Sequence, residues 1–320
     1  MSNKTKVWII VAIFLIFTGY IVFCVAMNKL NWDFTKLSTN KLETNKYEIN
    51  NNFKDIKIIT DTADIIFVTS EESNSLVVCD EQENVKHLVK VKDNTLLIEV
   101  DDNRKWYEHI GINFVTPKIT IYLPENEYGE LLIESSTGDI NVPEKFKFKS
   151  VDILEDTGDI ENYASVYEDI RIRTSTGDIH TENIIANRID LATSTGKIEV
   201  INTNCIDNIK IKVSTGKTNI IDTNCKNLLS NGSTGNIYLE NVIVTEKISI
   251  KRSTGDVKFK DSDANDIFIK TDTGNVIGSF LTNKVFFVET DTGSIDVPKT
   301  IADEKCEVIT NTGDIKITVK

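Results

Sequence analysis

Apolar and polar residues alternate through most of this chain, and the alternation itself recurs. In RTSTGDIHTENIIANRIDLATSTGKIEV, Arg173–Val200, the residues around each Thr-Gly pair place Ile, Leu or Val at every second position. A period of two puts alternate side chains on one face, which predicts strands with one buried side. Apolar residues stand two places after glycine (Ile140, Ile160, Ile179, Ile198, Ile237, Val257, Val276, Ile295, Ile315), five places before it (Ile133, Ile153, Ile172, Leu191, Ile211) and seven before it (Leu131, Val151, Ile170, Ile189, Ile209). No copy carries the three-and-four spacing of a helix.

The glycines that set the longer period are Gly138, Gly158, Gly177, Gly196, Gly216, Gly235, Gly255, Gly274, Gly293 and Gly313, each preceded by threonine and each 19 or 20 residues from the last. Self-similarity at that period predicts a stacked architecture, one coil per copy. No coil buries its apolar face alone, whereas a stack builds a continuous core with like residues laddered about 4.8 Å apart. The expected fold is all-β, a single-stranded parallel β-helix (β-solenoid) of 19–20-residue coils, in which nine intervals give a rod roughly 43 Å long. Glycine marks a corner whose backbone angles other residues avoid. DIKIITDTADIIF, Asp55–Phe67, keeps the columns but has Ala63 at the glycine position, a degenerate early coil about four periods before Gly138.

One segment breaks the pattern. Val7–Asn28 holds 22 residues without a charge, a helix roughly 33 Å long and enough to cross a bilayer. It exceeds the apolar region of a signal peptide, and its best small-residue cleavage site is poor, so an uncleaved transmembrane helix is expected. The bulk of the chain follows the helix, which favours a cytoplasmic N-terminus and an exported body. The expected organisation is a cytoplasmic tail at 1–6, the membrane helix at 7–28, a linker at 29–48, an N-terminal β region at 49–128, read as degenerate coils with a separate β-cap over 70–128 as the alternative, and regular solenoid at 129–320.

Acidic residues outnumber basic ones by 49 to 36, a net charge of −13, which argues against nucleic acid as a partner. YLPENEYGELLIESSTGDI from Tyr122, followed by repeated STGDI and DTGNV units behind an N-terminal apolar segment, resembles the bacterial putative-adhesin family of β-strand-repeat proteins, the LiaG-like group. The resemblance spans roughly Tyr47 to Lys320. It implies a β-helix at the cell envelope and supplies no catalytic residues.

Asp139, Asp159 and Asp178 follow their glycines in three successive coils and would stand about 5 Å apart, a weak cation candidate. The plainer reading makes them turn residues on a solvent-facing column continued by Lys197 and Lys217. Cys205 and Cys225 fall on adjacent rungs with side chains pointing the same way, which predicts free thiols. Cys306 is expected to pack inward, and Cys79 has no visible mate. His87, His109 and His180 match no nucleophile motif and are expected on the surface or in loops. The TxT ladders, such as Thr174-Ser175-Thr176, share parity with the buried isoleucines and should point inward, against an ice-binding face. No catalytic residue, cofactor or metal is indicated.

These features together predict a membrane-anchored, exported solenoid with a non-catalytic interaction or scaffold role at a bacterial envelope. It would be held in the membrane through Val7–Asn28 and contact cell-wall polymer or envelope proteins. A polysaccharide-cleaving β-helix enzyme and an accessory protein of an envelope-stress sensor are the alternatives.

Overall fold

The computed structural model describes residues 2–33, 42–104 and 116–320; His109 lies outside them. The first element is a helix, Asn3–Lys29, capped by the Ser2 hydroxyl, which accepts from the Thr5 N–H at 3.2 Å. Most of its apolar side chains, Trp8 and Ile16 among them, are exposed. A helix apolar on every face is suited to lipid or to a larger core. This one is long and apolar enough to cross a membrane.

The remainder is a β-solenoid. In the Gly158 coil a long strand, Lys147–Thr157, meets the glycine corner and is followed by Ile160–Asn162 and Ser165–Val166. The next coil lies on it in parallel register, with Val151 on Ile170, Ile153 on Ile172, Thr157 on Thr176 and Ile160 on Ile179. Ile179 in turn stacks on Ile198. From Thr218 the strands run on through the bends as Thr218–Thr234, Ile237–Thr254 and Val257–Thr273. The inward isoleucine, leucine and valine columns merge into one buried core from Ile49 to Ile317.

Two corners with positive φ recur in the coils from Gly177 to Gly255. At the first, Gly177 has φ +145°, and a Cβ there would stand 1.9 Å from the Gly158 carbonyl oxygen. The position therefore excludes a side chain twice, by backbone angle and by the coil beneath. The second corner lies six places after glycine, where Asn183, Asn202, Asp222, Asn241 and Asp261 adopt left-handed φ between 45° and 58°. Asn and Asp tolerate that region best after glycine. Their side chains bond along the stack, Asn202 Nδ2 to Asn183 Oδ1 at 2.6 Å and Asn241 Nδ2 to Asp222 Oδ1 at 2.9 Å.

Stacking order departs from chain order at both ends. Asp55–Ile59 and Asp64–Ser70 pair in parallel with Glu127–Thr137 and Ile140–Val142, so the Ala63 coil lies directly beneath the Gly138 coil. The reading of four intervening periods is corrected: among the described residues no layer lies between the Ala63 coil and the Gly138 coil. On the other side of the Ala63 coil, Thr95–Asp102 and Lys118–Pro124 supply a parallel layer. Below that layer the pairing becomes antiparallel, Val85–Lys92 on Thr95–Asp102, Ser75–Gln82 on Lys118–Pro124, and Leu42–Ile49 on Ser75–Gln82. At the other end Lys305–Thr312 inserts between Val257–Thr273 and Val285–Thr292. The Gly313 coil is therefore interior, and the Gly293 coil is the outermost described layer.

Candidate functional site

The glycine column is matched by a ladder of its neighbours. Asp139 Oδ1 accepts the Asp159 N–H at 2.9 Å, Asp159 Oδ1 the Asp178 N–H at 2.7 Å, and Asp178 Oδ1 the Lys197 N–H at 2.7 Å. Asn236, Asp256 and Asn275 do the same higher in the stack. Each Asp or Asn thus spends one side-chain oxygen on the backbone of the next coil, and Asp139, Asp159 and Asp178 hold the corner together through that bond. The first threonine of each TxT unit points inward as its parity requires: the hydroxyls of Thr193, Thr271 and Thr310 donate to the carbonyls of Gly177, Gly255 and Gly274 at 3.1–3.2 Å. The second threonine, Thr195 for example, is exposed, because the strand bends into the corner and its parity ends there.

Within the inward column three places before glycine, two residues are ill-matched to an apolar interior. Glu155 is fully buried with neither carboxylate oxygen in good hydrogen-bond geometry, and burial, only partly offset by the nearby Ser135 hydroxyl and Thr157 N–H, pushes its pKa up to about 7. Arg252 is buried too; its Nη2 donates to Ser230 Oγ at 2.9 Å and Thr218 Oγ1 at 3.0 Å, while Nε and Nη1 have no partner. Burial lowers its pKa to about 10. The coil below makes room with Gly232, whose Cβ would meet Arg252 Nη1 at 2.0 Å. Cys205 and Cys225 are buried free thiols on adjacent rungs, raised by burial to about 11 and about 12. Cys306 is likewise buried and free.

At the N-terminal end His87 is buried, not in a loop or on the surface. Its Nδ1 lies 2.8 Å from Glu81 Oε2, and its Nε2 lies 2.9 Å from Thr60 Oγ1. Glu81 also accepts the His87 N–H at 2.7 Å and Asn45 Nδ2 at 2.7 Å. Burial pulls the Glu81 carboxyl upward, but the bonds from His87 and Asn45 outweigh it and leave its pKa below the usual value. The Cys79 thiol completes a group whose ligand atoms lie within 4.8 Å of one another. Cysteine, glutamate and histidine are a zinc-type donor set. Here, however, the Glu81 oxygens and both His87 nitrogens are committed to hydrogen bonds. Burial and the Glu81 and Asp80 charges push the Cys79 thiol up to about 12, away from the thiolate a metal needs. The arrangement works as a polar clasp joining the Thr60 coil, the Ser75–Lys92 hairpin and the first strand. Beside it lies a cavity of about 270 Å³ lined by Thr60, His87, Gln82 and Arg104 among others. The pattern of inward positions carries no sign of this clasp, because its residues come from strands paired out of chain order.

The outward face of the long strands is a regular surface. Its columns run in register: Asp152, Arg171, Asp190, Lys210 in one, and Arg173, Ala192, Lys212, Asn231, Lys251, Lys270 in the next. Arg171 pairs with Asp152 at 3.3 Å and Arg173 with Asp190 at 3.4 Å. Among the described residues Lys210, Lys212, Lys251 and Lys270 have no carboxylate within 4.0 Å, and all four are exposed. Lys251 lies over the Phe268 ring, 5.8 Å from its centre. An acidic protein thus presents a basic strip on one face of its middle coils. His180, half-buried in the strand Ile179–Glu182, lies on another side between Glu182 and Glu199.

A β-solenoid of Thr-Gly-cornered coils following a single apolar helix defines the class. Residues 53–206 match the model of the Toastrack DUF4097 family. A crystal structure from Parabacteroides distasonis, described as a "putative lipid binding protein", shares the fold. It has 17% identity and a TM-score of 0.50, over 88% of this chain and 98% of its own. A "putative adhesin" from the same species aligns at 14% identity and TM-score 0.49 over 85% of this chain and 98% of its own. Another from Parabacteroides merdae aligns at 16% and 0.48 over 75% and 95%. No protein of curated description matches the chain.

Proposed function

We propose that this protein is a membrane-tethered, exported interaction scaffold of the bacterial cell envelope, adhesin-like and non-catalytic. The apolar helix stays in the membrane with its N-terminus in the cytoplasm, and the solenoid projects outward. The observation that carries the reading is the registered basic strip, Arg173, Lys212, Lys251 and Lys270 with Lys210 beside them. Cations repeated along a rigid ladder suit an extended anionic polymer of the envelope, which makes one weak contact per coil. The names of the structural neighbours, adhesin and lipid-binding, accord with a binding role. A hydrolytic role for Asp139, Asp159 and Asp178 fits less well, since each gives an oxygen to the corner ladder.

The test is co-sedimentation of the purified chain with isolated envelope material carrying anionic polymer. Retention is expected at low salt, and a partial reduction on converting Lys210 and Lys212 to Glu. Equal retention by the charge-reversed protein would refute the basic strip as the contact surface.

A further inference from the structure

Near the outermost layer a buried lysine meets a buried aspartate and a half-buried glutamate. Lys284 is fully buried, which is unusual for lysine. Its Nζ lies 2.5 Å from Asp263 Oδ1, donates to Thr282 Oγ1 at 2.5 Å, and contacts Glu304 Oε2. Asp263 is buried; its Oδ1 also accepts the Ala264 N–H at 2.8 Å, and its Oδ2 has no hydrogen-bond partner. The wall nearby is apolar: Phe280 is fully buried, with its ring 5.3 Å from Phe259 and 6.5 Å from Phe286. Cys306 is close enough to feel the charges of both Lys284 and Asp263.

A lone buried ion pair repays its desolvation only with complete hydrogen bonding, and the free Asp263 oxygen leaves this one incomplete. The same geometry holds an amine against a carboxyl carbon, with a second carboxylate on the amine and little water to compete. Such confinement replaces a bimolecular encounter with a fixed near-attack contact. We propose that Lys284 and Asp263 condense into an intramolecular amide, with Glu304 carrying the protons.

The step balances within the site. Glu304 takes one proton from the Lys284 ammonium, and the neutral Nζ attacks Asp263 Cγ. The N–C bond forms, and the C–O bond to one carboxyl oxygen breaks. That oxygen leaves as water, taking the proton held by Glu304 and a second one released from nitrogen. An ammonium and a carboxylate become an amide and one water, with no oxidant and no change in total charge. The Lys284 hydrogen bond, the largest influence on Glu304, holds its carboxyl below the usual value against partial burial, so it begins as the base.

The bond has a structural consequence. Residues 263–284, which contain the Gly274 corner, become a closed covalent ring. Asp263 belongs to Val257–Thr273, while Lys284 directly precedes Val285–Thr292, the outermost described strand. The crosslink would hold that layer to the stack where its chain order and stacking order part. The inference is independent of any ligand of the basic strip.

Intact-mass spectrometry of the full chain, purified in detergent, tests it. The expected mass is that of the sequence less one water, and proteolysis should release the Lys284 and Asp263 peptides joined. Lys284→Arg keeps a cation but cannot form the amide, so it should recover the sequence mass. Glu304→Gln keeps both reacting groups and should slow or abolish the loss of water. A wild-type chain at full sequence mass with an unmodified Lys284 peptide would overturn the proposal. So would a water deficit that persists in Lys284→Arg, which would place the dehydration elsewhere.

Discussion

Glu155 sits between Ser135 and Thr174 in the inward column, sealed from solvent with neither oxygen in good hydrogen-bond geometry. A carboxyl so placed folds either protonated or at a cost. Burial, assisted by the charges of Asp156 and Asp139, raises its pKa from 4.5 to about 7. The sign follows from linkage: the folded state binds the proton more tightly than the unfolded chain. Its stabilising contribution is therefore complete below about pH 4.5 and lost as pH rises through 7, a loss of up to roughly 3 kcal/mol. Glu155→Gln keeps the shape and removes the charge. The substitution should raise the unfolding temperature at pH 8 and leave it nearly unchanged at pH 4.5. Equal effects at the two pH values would show that Glu155 is solvated. Glu81 has the opposite sign. Its pKa lies below 4.5, so the clasp contributes fully above that value and weakens as pH falls through the folded pKa.

The strands and their first corner were legible because they repeat: Ile at fixed offsets from Thr-Gly specifies which face is inside, and the structure stacks Ile179 on Ile198 accordingly. The second corner was equally present in the sequence, as Asn183, Asn202, Asp222, Asn241 and Asp261, but its residues vary and look like ordinary loop polars. Stacking order was not legible. A repeat states what each coil looks like, while which coil lies on which is decided by pairing across tens of residues, as when Lys305–Thr312 passes between its predecessors. The same limit hid the Lys284 and His87 clusters. It also yields a prediction at this scale. Among the described residues Val285–Thr292 pairs only with Lys305–Thr312, so deleting 305–320 removes its support rather than a terminal fringe. Hydrogen exchange over 285–296 should then lose its protection, while Ile237–Thr254 keeps its own. Retained protection over 285–296 would mean that this layer re-pairs directly with Val257–Thr273.

At the scale of the whole molecule the question is whether a rod binds as a pocket does or as a ladder does. A pocket concentrates affinity in a few desolvated side chains, and one substitution there abolishes binding. A ladder spreads it over separate weak contacts whose effects multiply. Lys210 and Lys212 lie on neighbouring columns of the Gly216 coil, and Lys251 and Lys270 stand on the Gly255 and Gly274 coils of one column. An exposed ion pair is worth about 0.2–1 kcal/mol, so neutralising either pair, two contacts, should weaken binding to a polyanion by about 2- to 30-fold. Changing all four should weaken it by the product of the two, and the remaining affinity should fall more gently with salt, because fewer contacts are left to screen. Titration of the four proteins against one anionic polymer at several salt concentrations measures both quantities. Near-complete loss from one pair alone would locate the contact at a single coil. In that case the regularity of the solenoid would serve its own stability, and the basic strip would not be the surface that the rod presents.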